Sequence, residues 1–187
     1  MMNVQDIRKG MVFKFENDMW SVMSMQHVSP GKGGAFVKVR ARSLKSGNSK
    51  EMNFRSGEKL DNVDVFEKAV TYLYKEGNEF VFMDNETYEQ YHVDPELCEE
   101  VEKFVVLNGE VIASILEGKI MSLTPPNSAV LKVITAEPAV KGDTSTRATK
   151  TVTLETGYTL QVPLFINEGE HLRIDTRDGE YIERVKV

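Results

Sequence analysis

Phe36-Val37-Lys38-Val39-Arg40-Ala41 alternates apolar and charged residues along its length. A period of two sends successive side chains to opposite faces of an extended chain. The stretch therefore predicts a half-buried strand, with Val37, Val39 and Ala41 inward and Lys38 and Arg40 outward. The same period recurs upstream in Met11–Phe15 and Trp20–Met25, separated by the turn signal Glu16-Asn17-Asp18. Ser29-Pro30-Gly31-Lys32-Gly33-Gly34 and Lys45-Ser46-Gly47-Asn48 bracket the opening stretch as turns. Strands at a spacing of about 8–12 residues predict a small closed β unit of about five strands over residues 1–64.

Working outward, the second segment, residues 65–128, offers Val70–Tyr74 and Glu79–Met83 as a hairpin around Gly77-Asn78. Asp94-Pro95-Glu96 predicts a helix start, with Asp as cap and Pro at the first helical position. Leu97, Cys98 and Val101 then face inward on a short helix ending near Lys103. Phe104–Leu107 and Glu110–Ala113, joined by Asn108-Gly109, read as a second hairpin. In the third segment, residues 129–187, the strands are Val130–Ile134, Val152–Leu154, Thr159–Val162, Leu172–Ile174 and Tyr181–Val185. A polar loop, Lys141–Lys150, interrupts them. Segments two and three each fit a five-stranded Greek-key barrel of the oligonucleotide-binding type, and the fold class is all-β.

The chain has 187 residues, 41% hydrophobic and 28% charged, which suits one to three small domains with buried cores. A lone cysteine, Cys98, excludes an internal disulfide and fits a reducing compartment. Met1–Gly10 has no apolar stretch of the signal-peptide kind, and no run approaches a spanning helix, so a cytoplasmic protein without membrane contact is expected. The net charge of −6 is unevenly spread. Residues 1–64 hold 11 Lys/Arg against 7 Asp/Glu, residues 65–128 hold 4 against 13, and residues 129–187 hold 8 against 9. Salt screens charge beyond about 8–10 Å, so a basic first third can face RNA while an acidic middle limits non-specific attachment. Chance variation among surfaces is the alternative.

The glycine loop does not satisfy the phosphate-loop pattern: Gly33 stands where the magnesium-binding hydroxyl belongs, and no helix signal follows. His27, His92 and His171 share no ligand spacing with each other or with Cys98, so no metal site and no cofactor are expected. No nucleophile elbow or Ser/His/Asp order is present, and the chain does not read as an enzyme. What the loop does offer is one ammonium, Lys32, on a glycine tip that permits positive φ between two strands. A long, exposed amine also suits enzymatic modification. A plain solvated hairpin lysine is the competing account.

In this context the chain resembles bacterial elongation factor P. The residues that carry the resemblance are Pro30-Gly31-Lys32-Gly33 with Ala35-Phe36, Tyr72-Leu73-Tyr74 with Phe82–Gln90, and Lys141-Gly142-Asp143-Thr144 with Leu154–Gly157. Gln161–Ile166 and Asp178–Arg184 complete the set, in family order over nearly the whole chain. The resemblance implies an SH3-like (KOW-like) domain with a lysine-tipped loop at residues 1–64. It implies oligonucleotide-binding-like domains at 65–128 and 129–187, the three arranged in the L of a transfer RNA. It implies a monomer that binds both subunits of the 70S ribosome, between the peptidyl and exit sites, and relieves stalling at consecutive prolines by positioning the peptidyl-site tRNA.

By the same resemblance Lys32, presented by Pro30, Gly31, Gly33 and Gly34, meets the acceptor end of that tRNA and is the residue a lysine-modifying enzyme would alter. Gly142, Asp143 and Thr144 approach the exit-site mRNA codon, and Tyr181 and Arg184 lie on the tRNA backbone. Each has a plainer alternative: an Asx-type turn for Gly142–Thr144, a barrel position for Tyr181, and a surface ion pair with Glu180 or Glu183 for Arg184. The competing function is a stand-alone single-stranded RNA-binding protein, which needs surface aromatics; Trp20, Phe36 and Tyr91 are each as readily core. A small enzyme of another kind is a third reading, disfavoured by the lack of a polar catalytic cluster.

Overall fold

In the computed structural model, which describes residues 1–139 and 148–187, the period-two segments become three sheets of six, five and five strands. The first contains β1 (Met2–Asn3), β2 (Val12–Phe15), β3 (Asp18–Val28), β4 (Phe36–Ser43), β5 (Ser49–Arg55) and β6 (Lys59–Val63), in the order β1-β6-β2-β3-β4-β5. The second is formed by β7 (Phe66–Glu76), β8 (Glu79–Asp84), β9 (Gln90–Val93), β10 (Glu110–Leu116) and β11 (Lys119–Thr124). Helix α1 (Glu99–Phe104) lies between β9 and β10. The third comprises β12 (Ser128–Ala136), β13 (Thr149–Leu154), β14 (Thr159–Pro163), β15 (His171–Asp175) and β16 (Glu180–Val185). The sheets curl into half-barrels, and the all-β class is as expected.

The second and third sheets share one strand order. They read β9-β8-β7-β10-β11 and β14-β13-β12-β15-β16, so each places its third, second, first, fourth and fifth strands side by side. They differ between strands three and four. In the second sheet that connection holds a turn at Pro95–Leu97 and α1; in the third it is residues 164–170, with no helix.

The chain packs as two compact units, residues 1–68 with 113–123, and residues 69–112 with 124–187. In the first unit Val37, Val39 and Ala41 bury their side chains with Ile7, Phe13, Trp20, Val22, Met52, Phe54 and Leu60. Phe54 is held edge-on by Phe13 and Phe15, at 5.9 and 5.5 Å between ring centroids. β2 and β3 close through Glu16 and Asn17, both at positive φ (50° and 63°), as the right-handed twist of a two-residue hairpin requires. In the same unit the Ser114 hydroxyl donates to the Gly10 carbonyl at 2.9 Å, and the Ser21 hydroxyl donates to the Met121 carbonyl at 3.1 Å. These hydroxyls are buried and satisfied, so they cement the contact instead of weakening it.

In the second unit Tyr72 stacks against Phe80 and Phe82 at 5.7 and 5.4 Å. Cys98 and Val101 are fully buried beside them. Burial, then the Glu102 carboxylate, pushes the Tyr72 hydroxyl up from its ordinary pKa, as fits a core residue. The third sheet's core is Leu131, Val133, Val152, Leu154, Leu160, Val162, Ile166, Leu172 and Ile174.

Three local expectations are corrected. Phe104–Leu107 is not a strand: Phe104 ends α1 and inserts its ring into the third sheet's core, edge-on to Tyr158 at 5.0 Å. The following apolar residues lead into a turn closed by Asn108 at φ 68°, with Tyr72 bonded through its backbone to Asn108 and Gly109. Asp94-Pro95 starts a 3-10 turn, not the α-helix itself, and the Asp94 side chain makes no cap hydrogen bond. Thr149 and Lys150, expected at the end of the polar loop, belong to β13.

Candidate functional site

The lysine loop is built by a long strand pairing. β3 and β4 run in register from Trp20 opposite Ser43 to Val28 opposite Phe36, with a bulge at Met23. Toward the tip, Val22 on β3 and Val37 on β4 are the last buried residues. Beyond them the ribbon leaves the core. From Trp20 to Val28 it extends roughly 25 Å at the usual strand rise. β5 braces β4 as far as Arg55 opposite Phe36, and the Ser56 N–H adds a bond to the Ala35 carbonyl at 2.9 Å. Support therefore reaches the root of the loop.

Residues 29–35 are all exposed. Gly33 sits at φ +115°, a region that side-chain-bearing residues rarely occupy, although a Cβ there would meet only Pro30 at 3.9 Å. Glycine is required by the backbone, not by lack of room. Gly31 and Gly34 face open space. Lys32 is exposed and, among the described residues, has no hydrogen-bond or salt-bridge partner. Farther down the ribbon, Lys38 is committed to Glu51 at 3.1 Å.

A second cluster lies on the third sheet. Ile174 pairs with Tyr181 and Leu172 with Arg184, and the register shift between these pairs leaves Ile182 as the extra residue. Residues three apart on a regular strand face opposite ways. The bulge instead puts Tyr181 and Arg184 on the face that Leu172 and Ile174 share. Tyr181 packs partly against the core. Arg184 is half exposed, its guanidinium carbon 4.6 Å from the Phe165 ring centroid and Nη1 3.1 Å from Glu170 Oε1. Glu183 pairs with Arg173 at 2.9 Å, so neither of the ion-pair partners expected for Arg184 is the one found. Nearby, the Arg177 guanidinium and backbone N–H hold the Asp175 carboxyl down to about 2.

These two clusters sit in domains with known relatives. Residues 3–60 match the family model of the elongation factor P KOW-like domain, residues 65–123 that of its OB domain, and residues 129–184 that of its C-terminal domain. Elongation factor P of Beutenbergia cavernae is 40% identical over 185 residues, covering 99% of this chain and all of that protein. That of Finegoldia magna matches to the same extent. The chain belongs to the elongation factor P family. A solved structure described as eukaryotic translation initiation factor 5A from Methanococcus jannaschii shares 23% identity over 65% of this chain and 92% of its own. Its TM-score of 0.35 is too low to add to the assignment.

As an elongation factor P, the chain is a translation elongation factor. Of the residues singled out in the sequence, Lys32 and its glycines stand together on the first unit, and Tyr181 and Arg184 stand together on the second. Gly142, Asp143 and Thr144 lie outside the described residues. Trp20 is core, with its indole N–H donated to the Phe15 carbonyl at 3.1 Å. An aromatic that the sequence pattern hides is Phe165, 53% exposed between half-buried Leu164 and fully buried Ile166. Among the described residues no group of three or more His, Cys, Asp or Glu is placed to hold a metal ion. No helix among them is long and apolar enough to cross a membrane.

Proposed function

We propose that this elongation factor acts in the cytoplasm on the 70S ribosome, between the peptidyl and exit sites, and speeds peptide-bond formation on chains stalled at consecutive prolines. In this reading Lys32 meets the acceptor end of the peptidyl-site tRNA, Tyr181 and Arg184 its backbone, and Gly142, Asp143 and Thr144 the exit-site codon. The observation that carries it is the braced ribbon with an exposed, unpartnered amine at its tip.

Proline fixes φ and lacks an N–H, so a peptidyl-prolyl end is poorly placed for attack. Holding the reactants in line lowers the barrier with no proton or bond passing through the protein. Each tenfold in rate corresponds to about 1.4 kcal/mol. A hydrogen bond from one ammonium to the tRNA end supplies that order. The factor is thus a positioning device and not an enzyme. The same exposure makes Lys32 the residue that a modifying enzyme would extend.

The test is single-turnover synthesis of a Pro-Pro bond on ribosomes, with and without the factor. Lys32→Ala is expected to lower the factor-dependent rate at least about tenfold and leave Phe-Phe synthesis unchanged. Equal stimulation by Lys32→Ala and the unaltered chain would falsify the role given to the amine.

A further inference from the structure

We propose that Phe165, with Arg184 over one face of its ring, is a stacking platform for an unpaired nucleobase. This rests on the reading of the third domain as RNA-facing, and deepens it. Phe165 is half exposed, yet Leu164 is half-buried and Ile166 fully buried, so the ring is presented outward while its neighbour anchors the loop. The Asn167 backbone N–H donates to Glu170 Oε2 at 2.7 Å, and Glu170 Oε1 accepts from Arg184. One carboxylate therefore fixes both the loop that carries the ring and the cation that covers it. A guanidinium 4.6 Å from the centroid occupies one π-face. The exposed remainder of the ring is what a flat, sequence-independent partner would take, as on other oligonucleotide-binding barrels.

A protein side chain is the weaker occupant. The ring is instead paired with a cation able to release a carboxylate and take a phosphate. Glu170 is then a competitor built into the site: Arg184 is neutralised until RNA displaces the carboxylate. Binding by the unaltered chain is accordingly expected to depend weakly on salt. Freeing Arg184 is expected to add roughly 0.7 to the slope of log affinity against log salt.

The experiment uses the full chain and a single-stranded ribotetranucleotide containing 2-aminopurine, read by fluorescence quenching. The unaltered chain quenches the probe. Phe165→Leu abolishes the quench and weakens binding about tenfold, as expected for one stacked base. Phe165→Tyr preserves both. Glu170→Gln, which keeps an acceptor for the Asn167 N–H, tightens binding and steepens its salt dependence. Unchanged thermal unfolding of Phe165→Leu shows that the effect is not loss of fold. Equal binding and quenching by Phe165→Leu overturn the proposal, as does absence of binding by the unaltered chain at millimolar probe. A parallel ribosome-binding assay separates the two readings. If the unaltered chain binds ribosomes and Phe165→Leu fails to alter the probe signal, the platform falls alone. If the unaltered chain does not bind ribosomes, the ribosomal role falls and the probe result is judged by itself.

Discussion

The second and third sheets have one topology and two characters. Each orders its strands three, two, one, four, five. The segment that carries the second sheet holds 13 acids against 4 bases, and the segment of the third 9 against 8. The second spends the connection between strands three and four on a helix whose last ring leaves for another core. The third spends it on a loop that turns an aromatic outward. Strand order is thus indifferent to function; what a sheet can bind is decided by its connections and its charge.

The hardest way to break this comparison is Phe104→Ala. If the sheets were independent modules, losing the last residue of α1 would leave the third sheet untouched. Because Phe104 lies in the third sheet's core, removing its ring is expected to cost about 3–5 kcal/mol, read by denaturant unfolding followed at Tyr158.

A sharper comparison uses the turns joining strands four and five. Gly118 and Gly179 both have positive φ, at 76° and 77°. A Cβ on Gly118 would meet nothing, whereas on Gly179 it would stand 2.2 Å from the Tyr158 hydroxyl oxygen, which donates to the Gly179 carbonyl. Gly118→Ala should cost about 1 kcal/mol from backbone strain. Gly179→Ala should add about 1–3 kcal/mol for overpacking, measured by the shift in urea midpoint. Equal costs for the two would show that the third turn yields freely.

The next effect is smaller and fades in acid. Asp175, on the third sheet, has its pKa lowered from 3.8 to about 2, first by the Arg177 side chain. A carboxylate with a depressed folded pKa stabilises the fold fully above its unfolded value and loses that contribution as pH falls through the folded one. Arg177→Met should therefore lower stability at neutrality and down to about pH 4, with the difference from the unaltered chain shrinking between about 4 and about 2 and vanishing below, read by denaturant unfolding over a series of pH values. The smallest effect belongs to the second segment's helix. Lys103→Gln breaks an exposed pair with Glu99 four residues earlier, and is expected to cost about 0.3–0.5 kcal/mol, near the limit of equilibrium unfolding.

How much of this was legible depended on whether the information was local. Val37, Val39 and Ala41 are buried as the two-residue period required, and the third sheet's five strands fall where the alternation put them. The exposed tip was legible because Pro30 and three glycines leave the chain nothing to bury. Phe104–Leu107 misled because a short apolar run fits a strand and a helix end equally, and its true anchor, Tyr158, lies 54 residues away. Tyr181 and Arg184 sharing a face depends on the bulge at Ile182, which no alternation records. Phe165 hid inside Leu164-Phe165-Ile166, which reads as core although only the last of the three is fully buried. Glu170 as the partner of Arg184 is a matter of loop-to-strand register, and that is set by the whole sheet.

The bracing of β4 by β5 up to the Ser56–Ala35 bond makes the lysine ribbon a gauge of fixed length. Lengthening β3 and β4 together by two residues would carry the amine about 7 Å farther along the same line. Adding one residue to each would swing it to the opposite side. Evolution or engineering that retunes the reach of this arm must therefore move in paired, even steps.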